Sequence, residues 1–196
     1  MILGLLAAST LAGQPVAEAE RAFAAQAQRD GQWKAFLANS APDAVMLAPG
    51  VVKAHELLPK LKEPRIAVMW WPARTVTSCD GTLAYSTGPY RHPRQGQGQY
   101  MSIWRREPTG GWKWIYDGGI GTTGPMAAGD QVRASKASCV APKAPWPEET
   151  AAEAGGMSKD GTLRWRLDPA EGGKHRLRVA YSHDGRWQTA EDTIVG

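Results

Sequence analysis

The sequence predicts an α+β protein in which helices pack on a curved antiparallel sheet. Apolar residues repeat at helical spacing near the N-terminus, and strand-like segments separated by turn residues follow. The stretch over 99–119 has the pattern of a β-hairpin with a long loop. Helices first and an antiparallel meander afterwards are typical of helices packed on one sheet.

The predicted elements follow from periodicity and from the position of Pro and Gly. Pro15 suits the first turn of a helix, and Asp30-Gly31 breaks it. The expected elements, in chain order, are a helix over 15–28, a short helix around 33–37, a strand over 44–48, a helical piece over 54–61 and strands over 66–78 and 82–91.

The central hairpin is apolar on both faces. Its strands, Tyr100–Arg105 and Trp112–Asp117, flank a turn that contains Pro108 and Gly110-Gly111. Strict alternation places the following residues on two faces: Tyr100, Ser102 and Trp104 opposite Met101 and Ile103, and Trp112, Trp114 and Tyr116 opposite Ile115. Each face needs a cover, so we expect either a second subunit or the C-terminal strands on the face away from the helices.

Bulk composition excludes several classes of function. The chain has 196 residues, 42% apolar and 21% charged, which is typical of one well-buried domain with an appendage. A net charge of +4 without a Lys/Arg run gives no reason to expect nucleic acid as a partner. No apolar run is long enough to span a membrane, the four His lack metal-ligand spacing, and no cofactor motif is present.

The N-terminus resembles a secretory signal. Residues 1–12, MILGLLAASTLA, are apolar and end in small residues, although a basic leading region is missing. We therefore expect export to the periplasm or beyond. The alternative is that these residues form the first turns of a buried helix in a cytoplasmic protein.

Residues 121–161 are rich in Ala, Pro and Gly and predict a linker, with one helical turn at Gln131–Ser135. Residues 162–196 predict a small β-meander with strands over 162–167, 175–183 and 187–195. One face of this meander collects cations, which are Arg164, Arg166, Lys174, Arg176 and Arg178. Opposed like charges cost about 0.2–1 kcal/mol per pair, so we expect Glu191 or Asp192 as a counter-charge, or else an anionic partner.

Three stretches resemble the nuclear transport factor 2-like superfamily. They are AERAFAAQAQRDGQWKAFLANSAPDAVMLAPG, DGTLAYSTGPY and GQYMSIWRREPTGGWKWIYDGG, within residues 15–120. More narrowly, they look like its SnoaL-like branch of small domains, which is related to ketosteroid isomerases. The resemblance implies a cone-shaped barrel with a pocket at its open end and homodimers formed through the sheet.

The same resemblance argues against the isomerase reaction. Those isomerases abstract a proton with a carboxylate and stabilise the enolate with an oxyanion hole that includes a Tyr. The corresponding positions fall on Ala48 and near Ala24, which can neither accept nor donate a proton. The acid–base pair of the family is therefore absent from its usual positions.

Other polar residues could serve the pocket. His92 could act as a general base at the pocket mouth, and Asp117 could point into the cone. Tyr85, Tyr100 and Trp33 are candidates for the pocket wall. Each has an ordinary alternative: a solvated loop His, a carboxylate capping a strand end, and aromatic rings of the core.

Cys79 and Cys139 match neither a CxxC nor a zinc pattern. In an exported chain they would tend to form a disulfide, whereas in a cytoplasmic one they would be unrelated thiols.

The sequence thus favours an exported, non-catalytic domain that binds a small ligand or acts as a scaffold. The alternatives are a SnoaL-type cyclase, isomerase or dehydratase acting on a small hydrophobic substrate, and an interaction module acting through the sheet or the arginine face.

Overall fold

The computed structural model describes residues 13–94, 96–126, 131–146 and 151–196. The predicted signal over 1–12 lies outside the described residues. Three α-helices are present in the described part: α1 Val16–Asp30, α2 Gln32–Asn39 and α3 Ala54–Leu57, the last continued by a 3-10 turn at Leu58–Lys60. Both predicted N-terminal helices are therefore found, and the break between them is Gly31, whose φ of 114° disfavours other residues.

The strands form two sheets. The larger has eight strands: β1 Ser40–Leu47, β2 Val51–Lys53, β3 Met69–Trp70, β4 Arg74–Thr77, β5 Leu83–His92, β6 Gly96–Arg106, β7 Trp112–Gly121 and β8 Arg133–Lys136. The smaller has four: β9 Ala154–Met157, β10 Leu163–Pro169, β11 His175–His183 and β12 Arg186–Val195.

The larger sheet is mixed, not antiparallel as predicted. Its order is β2-β1-β7-β6-β5-β4-β8, with β3 beside β5. β1 runs parallel to β7, and β8 runs parallel to β4. The helical turn predicted at Gln131–Ser135 is also wrong, because residues 133–136 of this segment instead form the edge strand β8, which pairs its backbone with β4.

The helices cover one face of the larger sheet. Phe23 of α1 makes edge-to-face contacts with Phe36, Trp70 and Trp104, with ring centroids 4.8, 4.8 and 6.0 Å away. Tyr100 and Trp104 of β6 lie in this core, as alternation predicted. Such aromatic pairs each contribute about 0.5–1.5 kcal/mol beyond simple burial.

The smaller sheet covers the opposite face. Met101 and Ile103 of β6 are fully buried in a core that also contains Leu163, Leu167 and Leu177 of the smaller sheet. Of the two covers that the sequence allowed, the chain itself therefore supplies one. A homodimer through this face stays a prediction. The apolar surface that motivated it is already buried against the smaller sheet.

A β-bulge in β7 changes which residues share a face. Ile103 pairs with Tyr116 and Trp104 pairs with Trp114, so Ile115 is the extra residue. Tyr116 consequently packs against Trp165 of the smaller sheet, and the prediction that it shares a face with Trp112 and Trp114 is wrong. The bulge also returns the next residue, Asp117, to the helix side of the sheet.

Two turns of the same sequence pattern join the sheets. The segments 78–82, SCDGT, and 158–162, SKDGT, both have the Ser side chain donating to the Asp two residues later, at 2.6 Å. The turns bond reciprocally: the backbone N–H of Asp80 donates to Asp160 at 2.8 Å, and that of Asp160 donates to Asp80 at 3.0 Å. We call these two segments the paired turns.

Cys79 lies within the first of the paired turns and is joined to Cys139 in a disulfide, with Cα atoms 5.1 Å apart. This bond ties the segment after β8 to the point where the two sheets meet.

Candidate functional site

A pocket of about 350 Å³ opens between the helices and the larger sheet. Its volume is at the lower end of the range for small-molecule sites. Aromatic rings form much of its wall, and its polar side chains other than the indoles come from five residues, which are Gln32, Tyr90, His92, Tyr100 and Asp117. The helices supply one side of the pocket, and β5, β6 and β7 supply the other.

Asp117 is the acidic group of this pocket. Its carboxyl accepts a hydrogen bond of 2.6 Å from the hydroxyl of Ser102, its register partner on β6. Burial raises the pKa of Asp117 to about 7, against the lowering effect of that hydrogen bond. Near neutral pH the group is thus present in both its donor and its acceptor form.

Glu20 is a second acidic group on the helix side, and it is fully buried on α1. The indole N–H groups of Trp70 and Trp104 each donate to one of its carboxyl oxygens at 2.8 Å. Burial raises the pKa of Glu20 to about 7, which outweighs the hydrogen bonds from the two indoles, and the nearby charge of Asp117 raises it further.

Tyr100 lies close to both carboxyl groups. Its hydroxyl is within 2.9 Å of the hydroxyl of Ser86 on β5. Burial raises the pKa of Tyr100 well above its usual value, with Glu20 and Asp117 adding to the rise, so the phenol stays protonated. Tyr100 therefore combines the two predicted roles, because it belongs to the core and also lines the pocket.

His92 and Trp33, two of the sequence candidates, also line the pocket. The backbone N–H of Arg94 donates to His92 Nδ1 at 3.1 Å, so the neutral ring carries its proton on Nε2. Trp33 is fixed by its indole N–H, which donates to the carbonyl of Lys62 at 3.2 Å.

One pocket candidate, Tyr85, and the two positions of the family's acid–base pair, Ala48 and Ala24, lie elsewhere. Tyr85 is fully buried on the other face of β5, where its hydroxyl donates to Glu191 at 2.6 Å, so it does not line this pocket. Ala48 is exposed after the end of β1, and Ala24 packs against the core on α1. Neither offers a polar group, but Glu20, one helical turn before Ala24, does.

The arginine face is largely paired within the chain. Arg166 and Arg178 are buried and both donate to Asp168, at 2.6 and 2.8 Å. Arg176 pairs with Asp192 at 2.6 Å, one of the two counter-charges predicted. Arg164 lies 5.6 Å from the ring of Trp146. The other predicted counter-charge, Glu191, instead accepts a hydrogen bond from Tyr85. The counter-charge for Arg166 and Arg178 is Asp168, which the sequence analysis had not named.

No protein-family model matches the chain, and the curated proteins give no match.

Two solved structures show distant likeness. One is a proposed calcium/calmodulin dependent protein kinase II association domain from Xanthomonas campestris, 15% identical over 55% of this chain and 86% of that one, with a TM-score of 0.39. The other is a periplasmic gluconolactonase from Pseudomonas aeruginosa, 11% identical over 67% and 29%, with a TM-score of 0.21. At these scores the likeness concerns fold alone and does not bear on the pocket.

Two kinds of feature are absent from the described residues. No helix there is long and apolar enough to cross a membrane. No group of three or more His, Cys, Asp or Glu is arranged to hold a metal ion in the same part of the chain.

Glu20 does not line the pocket, but it is a buried carboxyl that interacts electrostatically with Asp117 and Tyr100, and sequence reasoning missed it. It follows Val16 by four residues and precedes Phe23 by three, so it belongs to the apolar stripe of α1. A carboxylate on such an apolar stripe indicates a buried polar contact, because ionisable residues are rarely buried without partners. Its partners, Trp70 and Trp104, lie 50 and 84 residues away in the sequence, and nothing in the residues around them indicates that they contact Glu20.

Proposed function

We propose that the chain is an exported, nuclear transport factor 2-like domain that binds one small, mostly apolar molecule without transforming it. The ligand lies in the pocket between the helices and the larger sheet, in the cone that the sequence resemblance implies. Its single polar group, a hydrogen-bond acceptor such as a ketone oxygen, faces Asp117. The observation that carries this proposal is a carboxyl of raised pKa on the wall of a pocket that is lined mainly by aromatic and aliphatic side chains.

The size and lining of the pocket support a ligand with an apolar body. Trp33, Phe36 and Trp70 offer flat apolar surfaces, and such rings dominate the wall of small-molecule sites. Protonated Asp117 can donate to a carbonyl oxygen, whereas ionised Asp117 cannot. Binding of a ketone should therefore strengthen as pH falls through the pKa of Asp117, about 7.

The experiment compares two probes of similar shape, 2-acetylnaphthalene and 2-ethylnaphthalene, by quenching of tryptophan fluorescence. We expect the ketone to bind several-fold more tightly at about pH 5.5 than at about pH 8.5, with no such change for the hydrocarbon. Asp117→Asn should abolish the pH dependence. Asp184→Asn, an exposed carboxylate outside the pocket, is the matched control and should behave as the unmodified chain.

Two results would overturn the proposal. One is that neither probe binds in the millimolar range. The other is that the ketone and the hydrocarbon bind equally at both pH values, since Asp117 would then not face the ligand.

Acid–base catalysis is a second candidate, because His92 and Asp117 line the same pocket. With Ala48 and Ala24 at the positions of the family's acid–base pair, we expect no isomerisation of a 5-en-3-one steroid above background. Turnover that is lost in His92→Ala or Asp117→Ala would favour the enzyme over the binding domain.

A further inference from the structure

A second cleft lies where the two sheets meet, separate from the pocket described above. It encloses about 280 Å³, and residues of β4, β5, β6 and β8 line it opposite Glu191 of β12. Its charged residues are Arg74, Arg133 and Glu191. Thr87 and Gln99 add neutral polar groups to its wall.

The two arginines lie side by side. Arg74 of β4 and Arg133 of β8 are register partners in a parallel pair, so their side chains leave the same face of the sheet. The guanidinium of Arg74 is half-buried and is held in place by a 2.9 Å hydrogen bond to the carbonyl of Ala190. Arg133 is exposed, and among the described residues its side chain makes no hydrogen bond or ion pair. Adjacent like charges destabilise a sheet unless an anion offsets them.

Glu191 does not offset them by contact. One of its oxygens accepts the hydroxyl of Tyr85 at 2.6 Å, and the other accepts the hydroxyl of Thr193 and the backbone N–H of Asp192. No ion pair joins Glu191 to either arginine within the part of the chain that the structure describes. Two cations and one anion leave the cleft with a single positive charge.

We propose that this cleft binds a small organic molecule with one carboxylate, which is held between Arg74 and Arg133. A carboxylate matches the planar fork of a guanidinium, and a single negative charge balances the cleft. Gln99 also lines the cleft, but its amide nitrogen already donates to Thr87 at 3.0 Å and lies 3.5 Å from Glu191, so the carboxylate is assigned to the two arginines and not to Gln99.

The test uses three probes of equal length, butyrate, butyramide and n-butylammonium, titrated into the full chain and followed by saturation-transfer NMR of the probe. We expect butyrate to bind about tenfold more tightly than butyramide, and butylammonium to give no signal. Arg133→Gln should weaken butyrate binding by about tenfold without affecting the fold, because the side chain is exposed. Arg186→Gln removes an equally exposed arginine of β12 outside the cleft and should have no effect.

Three outcomes would overturn the proposal: equal binding of butyrate and butyramide, no binding of butyrate at about 100 mM, or an unchanged affinity in Arg133→Gln. Asp117→Asn locates the probe, because butyrate bound in the cleft should not respond to it. A change of butyrate affinity in Asp117→Asn, in either direction, would place the carboxylate in the other pocket and refute the cleft site.

Discussion

Glu20 shows how a single buried residue can set the pH dependence of the fold. Its pKa is raised from 4.5 to about 7, so between these values the folded state holds a proton that the unfolded chain has released. Stability therefore falls as pH rises through this window, by roughly 3 kcal/mol for Glu20. Asp117, raised from 3.8 to about 7, acts in the same direction.

Glu20→Gln should remove the part of this slope that Glu20 contributes. The amide cannot accept from both indoles, since its NH₂ would face one of their N–H groups, and this costs about 1–3 kcal/mol. Urea unfolding at several pH values between about 4.5 and 7 measures both effects. Glu18→Gln, on the exposed side of α1, is the control. A variant that keeps the full slope would show that Glu20 does not titrate in this range.

The paired turns act as one unit at the scale of elements. Burial raises the pKa of Asp80 and of Asp160, but hydrogen bonds from the Ser, the Thr and the backbone outweigh it and lower both pKa values. The carboxylates thus stabilise the fold above their usual pKa, and this contribution is lost as pH falls below it.

Because each Asp accepts from the backbone of the other turn, Asp80→Ala and Asp160→Ala should be coupled. We expect a coupling energy of about 1 kcal/mol or more in a double-mutant cycle of unfolding free energies. The same cycle with Asp80→Ala and Asp184→Asn should give a value near zero. Additive effects of Asp80→Ala and Asp160→Ala would mean that the turns do not hold each other.

The backbone of the segment between β3 and β4 passes very close to Gly88 on β5. A Cβ at Gly88 would be 2.1 Å from the carbonyl oxygen of Trp71 and 2.9 Å from the backbone nitrogen of Ala73. Gly88→Ala should therefore destabilise by about 1–3 kcal/mol or more. Gly111→Ala, where a Cβ would contact nothing within 4 Å, should be nearly neutral. Equal melting temperatures for the two variants would contradict the close approach at Gly88.

At the scale of the whole molecule, the Cys79–Cys139 disulfide stabilises the fold, and disulfides persist in oxidising compartments such as the periplasm. It closes a loop with a sequence separation of 60, so on the chain-entropy model it adds about 4 kcal/mol to stability. Protein from an oxidising compartment should not react with an alkylating reagent before the disulfide is reduced. After reduction, the protein should unfold at a lower urea concentration. Two alkylated cysteines in unreduced periplasmic protein would contradict the bond, and the argument from the disulfide to export would fall with it.

The sequence by itself determined the local elements. The apolar spacing of Val16, Phe23 and Ala27 with Gly31 at the break predicted two helices, and the Pro and Gly-Gly of the turn predicted the β6–β7 hairpin. These features depend on residues a few positions apart, where helical or strand periodicity and turn chemistry suffice.

Only the tertiary structure decided the pocket. The bulge at Ile115 moves Asp117 to the helix side, and no residue near it in sequence specifies that extra residue. Glu20 is buried because Trp70 and Trp104, far along the chain, both donate to it. The smaller sheet covers the apolar face for which the sequence equally allowed a second subunit. The bulge, the burial of Glu20 and the cover of the apolar face all depend on contacts between residues far apart in the sequence. The periodicity of a single segment does not determine such contacts.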